Sequence, residues 1–323
     1  MLTDFLTNEY QQSAINFVAY AAGGALVLFI AYEWLFLRGR DGKKTKQDWA
    51  MAGIALTFLS MVQRPLLLLV IFLALSAIAP AYSGALQWMD AQYFWPCLVV
   101  YLLIDEYLHG RVHLFAHSRR PKNPWLQKIQ AFYKVAHRPH HQTGGNDGRG
   151  ELSVTQTYVE HWGWWLVLPN YWFGLICLYF GFYQVFIWGS LSKTLWGMHV
   201  HTNWGYSYDL YLLNHPNPWI HKPFHALCHI LVFPNMHHQH HSRSANSAKN
   251  MTNFIALFDW LLWDTQVIEK ERPKIYGWRQ TPEEEFNPWY RYFNTNLNRA
   301  GPVKLNPKQG ETAEKPTQQL RAT

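Results

Sequence analysis

The feature that most constrains this chain is a long apolar run near its start, from Ile15 to Leu37. Its length is close to the ~20 residues that a helix needs to cross a lipid bilayer. Five basic residues follow at once: Arg38, Arg40, Lys43, Lys44 and Lys46. Because such a basic cluster usually stays in the cytoplasm, the pattern predicts a first span that runs from outside to inside.

A second apolar stretch extends from Ala50 to about Tyr82 and is interrupted by Gln63, Arg64 and Pro65. Two interpretations are open. The stretch is either one long, kinked span or a hairpin with Arg64 at its tip. An arginine within the bilayer is costly unless it is paired or functional, so this residue is a point of interest in either case.

Two more apolar stretches lie further along the chain. Residues 93–108 form the third, and residues 162–195 are long enough for a tight hairpin of two short spans. If the second stretch is one span, the histidine-rich segments 109–161 and 199–241 lie on the same side as the basic loop. We therefore expect an all-α integral membrane protein with about four to six transmembrane helices and a cytosolic helical cap.

Composition agrees with a membrane protein that has a large polar part. Apolar residues make up 49% of the chain and charged residues only 15%, against roughly 25% charged residues in soluble domains. The formal charge of +7 suits an anionic membrane surface, and no nucleic-acid-binding motif is present. The three cysteines have neither disulfide-framework nor metal-ligand spacing.

Seventeen histidines are concentrated in a few segments. His109, His113 and His117 recur every four residues, which places them on one face of a helix. Two imidazoles one turn apart can hold one metal ion. A single pair of this kind is equally consistent with histidines that only make hydrogen bonds at the membrane interface.

Two further segments share the pattern His-x2-His-His: His137-Arg138-Pro139-His140-His141 and His237-His238-Gln239-His240-His241. Adjacent histidines on one element point in different directions, so each segment can serve two metal ions. Eight or more candidate ligands exceed the four of a closed zinc site, and imidazole suits zinc, copper, iron and nickel. The pattern favours a dinuclear centre over a structural zinc cluster.

This arrangement resembles the fatty acid hydroxylase / sterol desaturase superfamily over about residues 93–265. One departure is that the family's first box usually reads His-Arg-x-x-His, and this chain lacks that arginine. The elements that match besides the histidine boxes are Pro121 and Trp125, Pro234-Asn235-Met236-His237, His201-Thr202-Asn203, Asn250 nine residues before Asp259, and Phe258–Thr265.

The resemblance implies a membrane-bound hydroxylase in which two iron ions activate O2 and attack an unactivated C–H bond of a lipid-like substrate. A desaturase with the same site is the first alternative. A histidine-rich metal transporter and a zinc hydrolase are alternatives of other classes. Because the chain carries no haem, flavin or iron–sulfur motif, electrons are expected from a separate ferredoxin, rubredoxin or cytochrome.

The domain prediction follows the same outline. Residues 1–92 form an N-terminal transmembrane region, residues 93–270 the di-iron catalytic domain, and residues 271–323 a cytosolic tail that is partly disordered. The metal centre is expected on the cytoplasmic side.

The first box is either His109 with His113 or His113 with His117. The metal-ligand candidates are His109, His113, His117, His137, His140, His141, His201, His237, His240 and His241. Metal-bound histidines usually donate their second N–H to a carboxylate or carbonyl. The candidates for such supporting contacts are Asp105, Glu160, Asp259 and Asn250, with Glu106 and His161 also considered. His225 and His229 form another pair with ligand spacing and no counterpart in the family.

Overall fold

A computed structural model describes residues 9–36, 46–142 and 152–278. Within these residues the fold is all-helical, as predicted, and the only β-pairing is two isolated bridges, Leu231 with Ile255 and Ser242 with Tyr276. The α-helices are α1 (Glu9–Phe36), α2 (Lys46–Phe58), α3 (Arg64–Ile78), α4 (Gln87–Gln92), α5 (Phe94–His117), α6 (Pro124–His141), α7 (Trp162–Val167), α8 (Pro169–Phe180), α9 (Tyr183–Val200), α10 (Asn203–Leu213), α11 (Pro218–Leu227), α12 (Pro234–His240) and α13 (Leu257–Leu261). Short 3-10 turns occupy Pro80–Tyr82, Val154–Tyr158 and Ala245–Ala248.

Two helical stretches are long and apolar enough to cross a membrane: Ser13–Glu33 and Ala52–Ile78. Only 28% and 33% of the most apolar 18-residue window of each stretch is buried, so most of their apolar surface faces outward. Large apolar side chains such as Tyr20, Leu28 and Ile78 are more than 70% exposed. Length and composition select no third helix within the described residues.

The second apolar stretch is one continuous helix and not a hairpin. Helices α2 and α3 are joined without a break by a π-helical turn at Leu59–Gln63. Pro65 explains this turn, because a proline within a helix has no N–H to donate and clashes with the preceding turn. The Gln63 side-chain amide donates to the carbonyl of Trp162, and Arg64 donates to the Tyr171 hydroxyl at 2.7 Å.

The apolar region between residues 162 and 195 contains the predicted hairpin in helical form. Helices α8 and α9 are joined at Gly181, whose φ of +103° is a backbone conformation that favours glycine. A side chain at this position would also lie 2.9 Å from the Gly84 carbonyl oxygen. The turn is therefore restricted to glycine by both backbone conformation and space.

The apolar core lies where the candidate spans meet the hairpin. Ile15 of α1, Leu68 of α3 and Leu178 of α8 are all buried in one cluster. A second cluster joins Leu26 of α1 to Tyr158 and to Met198 of α9. Because α1 packs against α9, the N-terminal region supports the elements that carry the histidines.

Candidate metal centre

The C-terminal half of α5 presents His109, His113 and His117 at intervals of about one helical turn. The ring centroids of His113 and His117 are 4.9 Å apart. Both belong to a group of histidines whose ligand nitrogens converge, whereas His109 is outside that group and lines a cavity that His113 also lines. Of the two first boxes left open by the sequence, the structure brings His113 and His117 together with the later boxes.

Helix α6 contributes the second box at its C-terminal end. The helix begins at the cap residue Asn123, whose side-chain oxygen accepts the N–H of Trp125 at 2.8 Å, and it continues through His141. His137 and His141 lie one turn apart on one side of α6, while His140 points to another side. This difference in direction divides the second box between two sites.

The first histidine group collects residues from all three boxes. Their ligand nitrogens lie within 4.8 Å of one another. Four of its five members are buried and one is half-buried. The first group consists of His113, His117, His137, His141 and His240.

The second histidine group contains four buried residues under the same distance limit. It includes the residue that follows α9, His201, which lies in the element His201-Thr202-Asn203. The remaining members come from α6 and from the α12 region. The second group consists of His140, His201, His237 and His241.

The second box (His137, His140 and His141) and the third box (His237, His240 and His241) each contribute histidines to both groups. His137 and His141 belong to the first group and His140 to the second; in the third box, His237 and His241 belong to the second group and His240 to the first. The two groups are close, since the stacked rings of His141 and His241 have centroids 4.4 Å apart. Adjacent histidines therefore serve two neighbouring sites.

Backbone carbonyls hold the far side of several rings. The Nδ1 atom of His113 lies 2.7 Å from the Met251 oxygen, and the Nδ1 atom of His240 lies 2.9 Å from the Lys249 oxygen. Because a carbonyl only accepts, each Nδ1 carries the proton and each Nε2 of a neutral ring presents a lone pair.

The same tautomer is fixed in the second group. His140 donates from Nδ1 to the Gln156 carbonyl at 3.0 Å, and His201 donates from Nδ1 to the Gly197 carbonyl at 2.5 Å. Their Nε2 atoms nevertheless lie only 3.2 Å apart. Two neutral rings arranged in this way place two lone pairs against each other, which is unfavourable unless a cation binds both.

The spacing of the nitrogens fits metal ligation. Imidazole–metal bonds are about 2.0–2.1 Å long, so two ligands at a right angle lie about 2.9–3.0 Å apart. The Nε2–Nε2 distances are 2.9 Å for His113 and His137 and 3.0 Å for His201 and His237. The buried Nε2 atoms of His117 and His240 have no hydrogen-bond partner. These donors fit a metal ion in each group.

Burial keeps the imidazoles neutral, as metal binding requires. It lowers the pKa of His113 to about 4. Burial, with a further contribution from neighbouring imidazoles, also lowers the pKa well below the ordinary range in His117, His137, His140, His141, His237, His240 and His241. These neutral rings can therefore bind a metal ion without first losing a proton.

The Glu160 carboxylate contacts a ring of the first group. Its Oε1 atom, on a residue that the sequence offered as a candidate for such a supporting contact, lies 2.9 Å from His137 Nδ1. Burial raises the pKa of Glu160 well above its usual range. Trp164 stacks on the His137 ring at a centroid distance of 4.6 Å, so this ring is fixed on both its edge and its face.

Asp259 and Asn250 act through the backbone. Asp259 accepts the N–H groups of Met251 and Thr252, each at 2.8 Å, and so holds the loop whose Met251 carbonyl binds His113. Asn250, at a φ of 54°, donates to the Met236 carbonyl at 2.8 Å. Both residues support the histidine groups without contacting an imidazole.

Asp105 has a different role from the one expected. It forms an ion pair with Lys193, and Asn170 donates to it at 3.5 Å. Glu106 also pairs with Lys193, at 3.0 Å, and accepts the Phe254 N–H at 3.0 Å. These contacts connect α5 to α9 and to the loop before α13.

Several other histidines lie outside both groups. His238 places Nδ1 3.0 Å from the Tyr276 hydroxyl and stacks on a tyrosine ring. His161 accepts the Gly163 N–H at 3.0 Å and caps α7. His225 and His229 line a surface groove with Trp260, so their ligand-like spacing does not bring them to the buried groups.

Residues 271–278 of the predicted tail pack on the centre. The Trp278 ring stacks on His141 at a centroid distance of 4.5 Å, and the backbone N–H of Trp278 donates to the His141 carbonyl at 2.6 Å. The rest of the predicted tail, from residue 279, lies outside the described residues. The packing around the histidine groups therefore extends past residue 270.

A cavity of about 140 Å³ connects the apolar helices with the histidines. Ile15, Leu175 and Phe186 contribute to its apolar wall, and His113 and His140 to its polar wall. Its enclosed volume is similar to that of an engineered cavity that holds benzene. The cavity can therefore place a short hydrocarbon segment beside the two groups.

Two anchoring carboxylates were not anticipated from the sequence. Glu33 of α1 accepts the Asn203 N–H at 3.0 Å and the Val154 N–H at 3.3 Å. Asp209 of α10 accepts the Asn235 N–H at 2.6 Å at the start of α12. The available signal was a single acidic residue in each apolar segment, which the sequence-based search for metal ligands did not use.

Comparisons of the chain with protein-family models, curated proteins and solved structures gave no match. The fold and the site therefore define its class by themselves. The chain is an all-helical protein with two candidate membrane-spanning helices and buried histidine groups that can hold metal ions.

Proposed function

We propose that this chain is a membrane-bound, O2-dependent di-iron hydroxylase that acts on an unactivated C–H bond of a lipid-like substrate. The first group would hold one iron and the second group the other. Bound iron would supply the activation of O2 and the oxidation of the C–H bond. The protein's part is to hold the metals, orient the substrate and exclude water.

The observation that carries the proposal is the opposed Nε2 lone pairs in two adjacent groups. Nine imidazoles surround the two positions, more than a closed zinc site needs. Imidazole also suits iron, and the resemblance to the fatty acid hydroxylase / sterol desaturase superfamily favours that metal. The ligands come from helix ends outside the two candidate spans, whereas a transporter is expected to bind its ion near the middle of the membrane.

The cavity supports a hydrophobic substrate. Its apolar wall is formed in part by α1, α8 and α9, and α1 contains a candidate span. A substrate dissolved in the bilayer would enter between these helices and place a C–H bond beside the histidines. The dry environment would limit the loss of a reactive oxidant to water.

The full topology is part of the proposal. We infer that residues 93–108, which include the first part of α5, and the α8–α9 hairpin add spans to the two candidates, giving about four to six in all, and that the metal centre faces the cytoplasm. Electrons would come from a separate ferredoxin, rubredoxin or cytochrome. Arg119 and Lys122 are exposed just after His117 and would attract an acidic carrier.

The test begins with metal content. The full chain is purified in detergent without added metal, and its metals are measured by mass spectrometry. We expect about two irons per chain, one for each group, and O2 uptake with a reduced electron carrier and a lipid extract. Zinc at the same level after expression in iron-rich medium would overturn the iron assignment and favour a hydrolase or a structural zinc centre.

Product mass separates the two oxygenase alternatives. A hydroxylase adds one oxygen atom, labelled when the reaction is run under 18O2, whereas a desaturase removes two hydrogen atoms. Iron-loaded protein that consumes O2 and yields only the desaturated product would overturn the hydroxylase assignment and retain the di-iron centre.

A further inference from the structure

Two basic side chains line the cavity, and only one of them has acidic partners. Lys193 is paired with Asp105 and Glu106. Arg64 donates to the Tyr171 hydroxyl at 2.7 Å and lies over the same ring, 5.3 Å from its centroid. Within residues 9–36, 46–142 and 152–278, no carboxylate lies within ion-pairing distance of Arg64. Its charge is therefore not neutralised by this part of the chain.

The position of Arg64 makes this lack of an acidic partner significant. Arg64 is in the candidate span Ala52–Ile78, where an unpaired charge is costly and usually marks a functional site. It follows directly on the π-helical turn Leu59–Gln63. Such turns occur often at functional sites. The turn shifts the register of the helix just before Arg64, which lines the cavity.

A second donor lies in the same cavity. Tyr158 is 4% exposed, lines the cavity, and its hydroxyl has no hydrogen-bond partner among the described residues. Burial raises the pKa of Tyr158 far above the physiological range, and the charge of Arg64 lowers it by a smaller amount. The hydroxyl therefore keeps its proton and can donate a hydrogen bond to an anion held by Arg64.

We infer that Arg64, with Tyr158, binds the carboxylate of an amphiphilic substrate whose hydrocarbon part extends toward the histidine groups. That the bound molecule is a substrate rests on the proposed function, whereas the carboxylate-binding site itself rests on the residues of the cavity. A guanidinium binds a planar carboxylate through two parallel hydrogen bonds. A phosphate monoester carries about −1.5 to −2 charges at neutral pH, which one arginine does not balance.

The site also implies a rule for the position of attack. If the carboxylate is fixed at Arg64, the carbon atom beside the histidines is set by its distance along the chain from that carboxylate. The alcohol of the same chain length would lack this anchor.

The test is equilibrium binding to the full chain in one detergent, without O2 or an electron donor. Octanoate and octan-1-ol are titrated calorimetrically into the wild type, into Arg64→Gln and into Arg120→Gln. Arg120 is exposed and provides a matched loss of charge outside the cavity. Detergent uptake of each ligand is the same for all three proteins, so the acid-to-alcohol affinity ratio is the quantity compared.

We expect Arg64→Gln to weaken octanoate binding about tenfold or more and to leave octan-1-ol within about twofold. Arg120→Gln should leave both affinities unchanged. Equal affinities of the wild type for the two ligands, or an unchanged ratio in Arg64→Gln, would overturn the inference and assign Arg64 a structural role. Tighter binding of octyl phosphate than of octanoate would overturn the carboxylate assignment.

Metal content provides the folding control. If Arg64→Gln loses its metal, the test is made with Tyr158→Phe, which removes only the donor hydroxyl. This variant is expected to weaken octanoate binding severalfold and to leave octan-1-ol binding unchanged. An unchanged octanoate affinity in a Tyr158→Phe protein that retains its metal would then overturn the inference. A protein that prefers octanoate but contains no iron would overturn the proposed function and leave the anion site standing.

Discussion

The Nε2 atoms of His140 and His201 lie 3.2 Å apart although both rings donate their Nδ1 proton to a backbone carbonyl. Hydrogen bonding among neutral imidazoles cannot account for this pair, because neither Nε2 has a proton to donate. A shared cation accounts for it directly, and the predictions below follow from this relationship.

Removing one ligand should affect one group at a time. His140→Ala leaves three ligands in the second group and all five in the first. We expect the purified variant to lose the metal of the second group and to retain that of the first, measured as metal per chain by mass spectrometry. His238→Ala is the matched control, since His238 is buried beside the groups and belongs to neither. Loss of all metal from both variants would contradict the assignment.

The Glu160 carboxylate should strengthen metal binding through His137. Glu160→Gln keeps the shape of the side chain and replaces the carboxyl group by an amide, which is a weaker acceptor for the His137 N–H, so the ring becomes a weaker ligand. Loss of a supporting partner of this kind typically lowers metal affinity about 10–100-fold, measured by competition with a chelator. Glu269→Gln, outside both groups, should leave the affinity unchanged. Equal affinities in the two variants would show that the contact has no role in binding.

Asp259 should matter for stability as well as for the metal. It accepts two backbone N–H groups at 2.8 Å and the hydroxyl of Thr265. Asp259→Asn replaces one acceptor oxygen by a donor facing those N–H groups, and we expect a loss on the order of 3 kcal/mol. Thr265→Ala removes one hydrogen bond and should cost about 1 kcal/mol. Thermal unfolding in detergent would rank the two variants, and the reverse order would contradict this account.

Gly110 should tolerate no side chain. A Cβ atom there would lie 2.6 Å from the Trp263 ring, so Gly110→Ala should shift α5 and destabilise the chain by about 1–3 kcal/mol. Gly24→Ala is the control, because nothing lies within 4 Å of a Cβ atom at that helical position. The control should be neutral or stabilising, since alanine favours a helix by about 1 kcal/mol over glycine. Equal melting temperatures would contradict the tight contact.

Acid should destabilise the metal-free protein. The folded-state pKa of His113 is about 4, below its ordinary value of 6.5, so the unfolded chain binds protons first as the pH falls. Stability is therefore present above about pH 6.5 and is lost between that value and about 4. Glu160, Asp209 and Asp259, whose pKa values burial raises, act in the opposite direction but are fewer than the eight histidines whose pKa burial lowers.

The measurement for this prediction is the melting temperature from pH 7.5 to pH 5, with and without bound metal. We expect a fall toward low pH in the metal-free protein and a steeper one in the loaded protein, because protons also displace the metal. A melting temperature that does not change over this interval would contradict the neutral state of the histidines.

Local spacing made much of the site predictable. Histidines four residues apart share a helix face, so His113 with His117 and His137 with His141 follow from sequence once the helices are correct. The division of the second box is also local, since His140 and His141 point in different directions. The continuous helix through Gln63 was one of two interpretations, and Pro65 beside a π turn explains why the apolar pattern is interrupted without a break in the chain.

Tertiary contacts decided what the sequence left open. His109 has the same spacing as its neighbours, and only the position of the other boxes excludes it from the groups. The carbonyls of Met251 and Gln156 orient imidazoles without any side-chain signal. Glu33 contacts residues more than one hundred positions away, which no local pattern reveals.

The division of the second and third boxes between the two groups has a consequence for biosynthesis. Each group contains residues from α6 and from the α12 region, so a nascent chain that ends before His237 contains neither complete group. Closing loops of this length is slow and is not rewarded until the last segment arrives. Metal loading must therefore follow synthesis of nearly the whole chain, and the ions would then join the two halves of the protein as a late step of maturation.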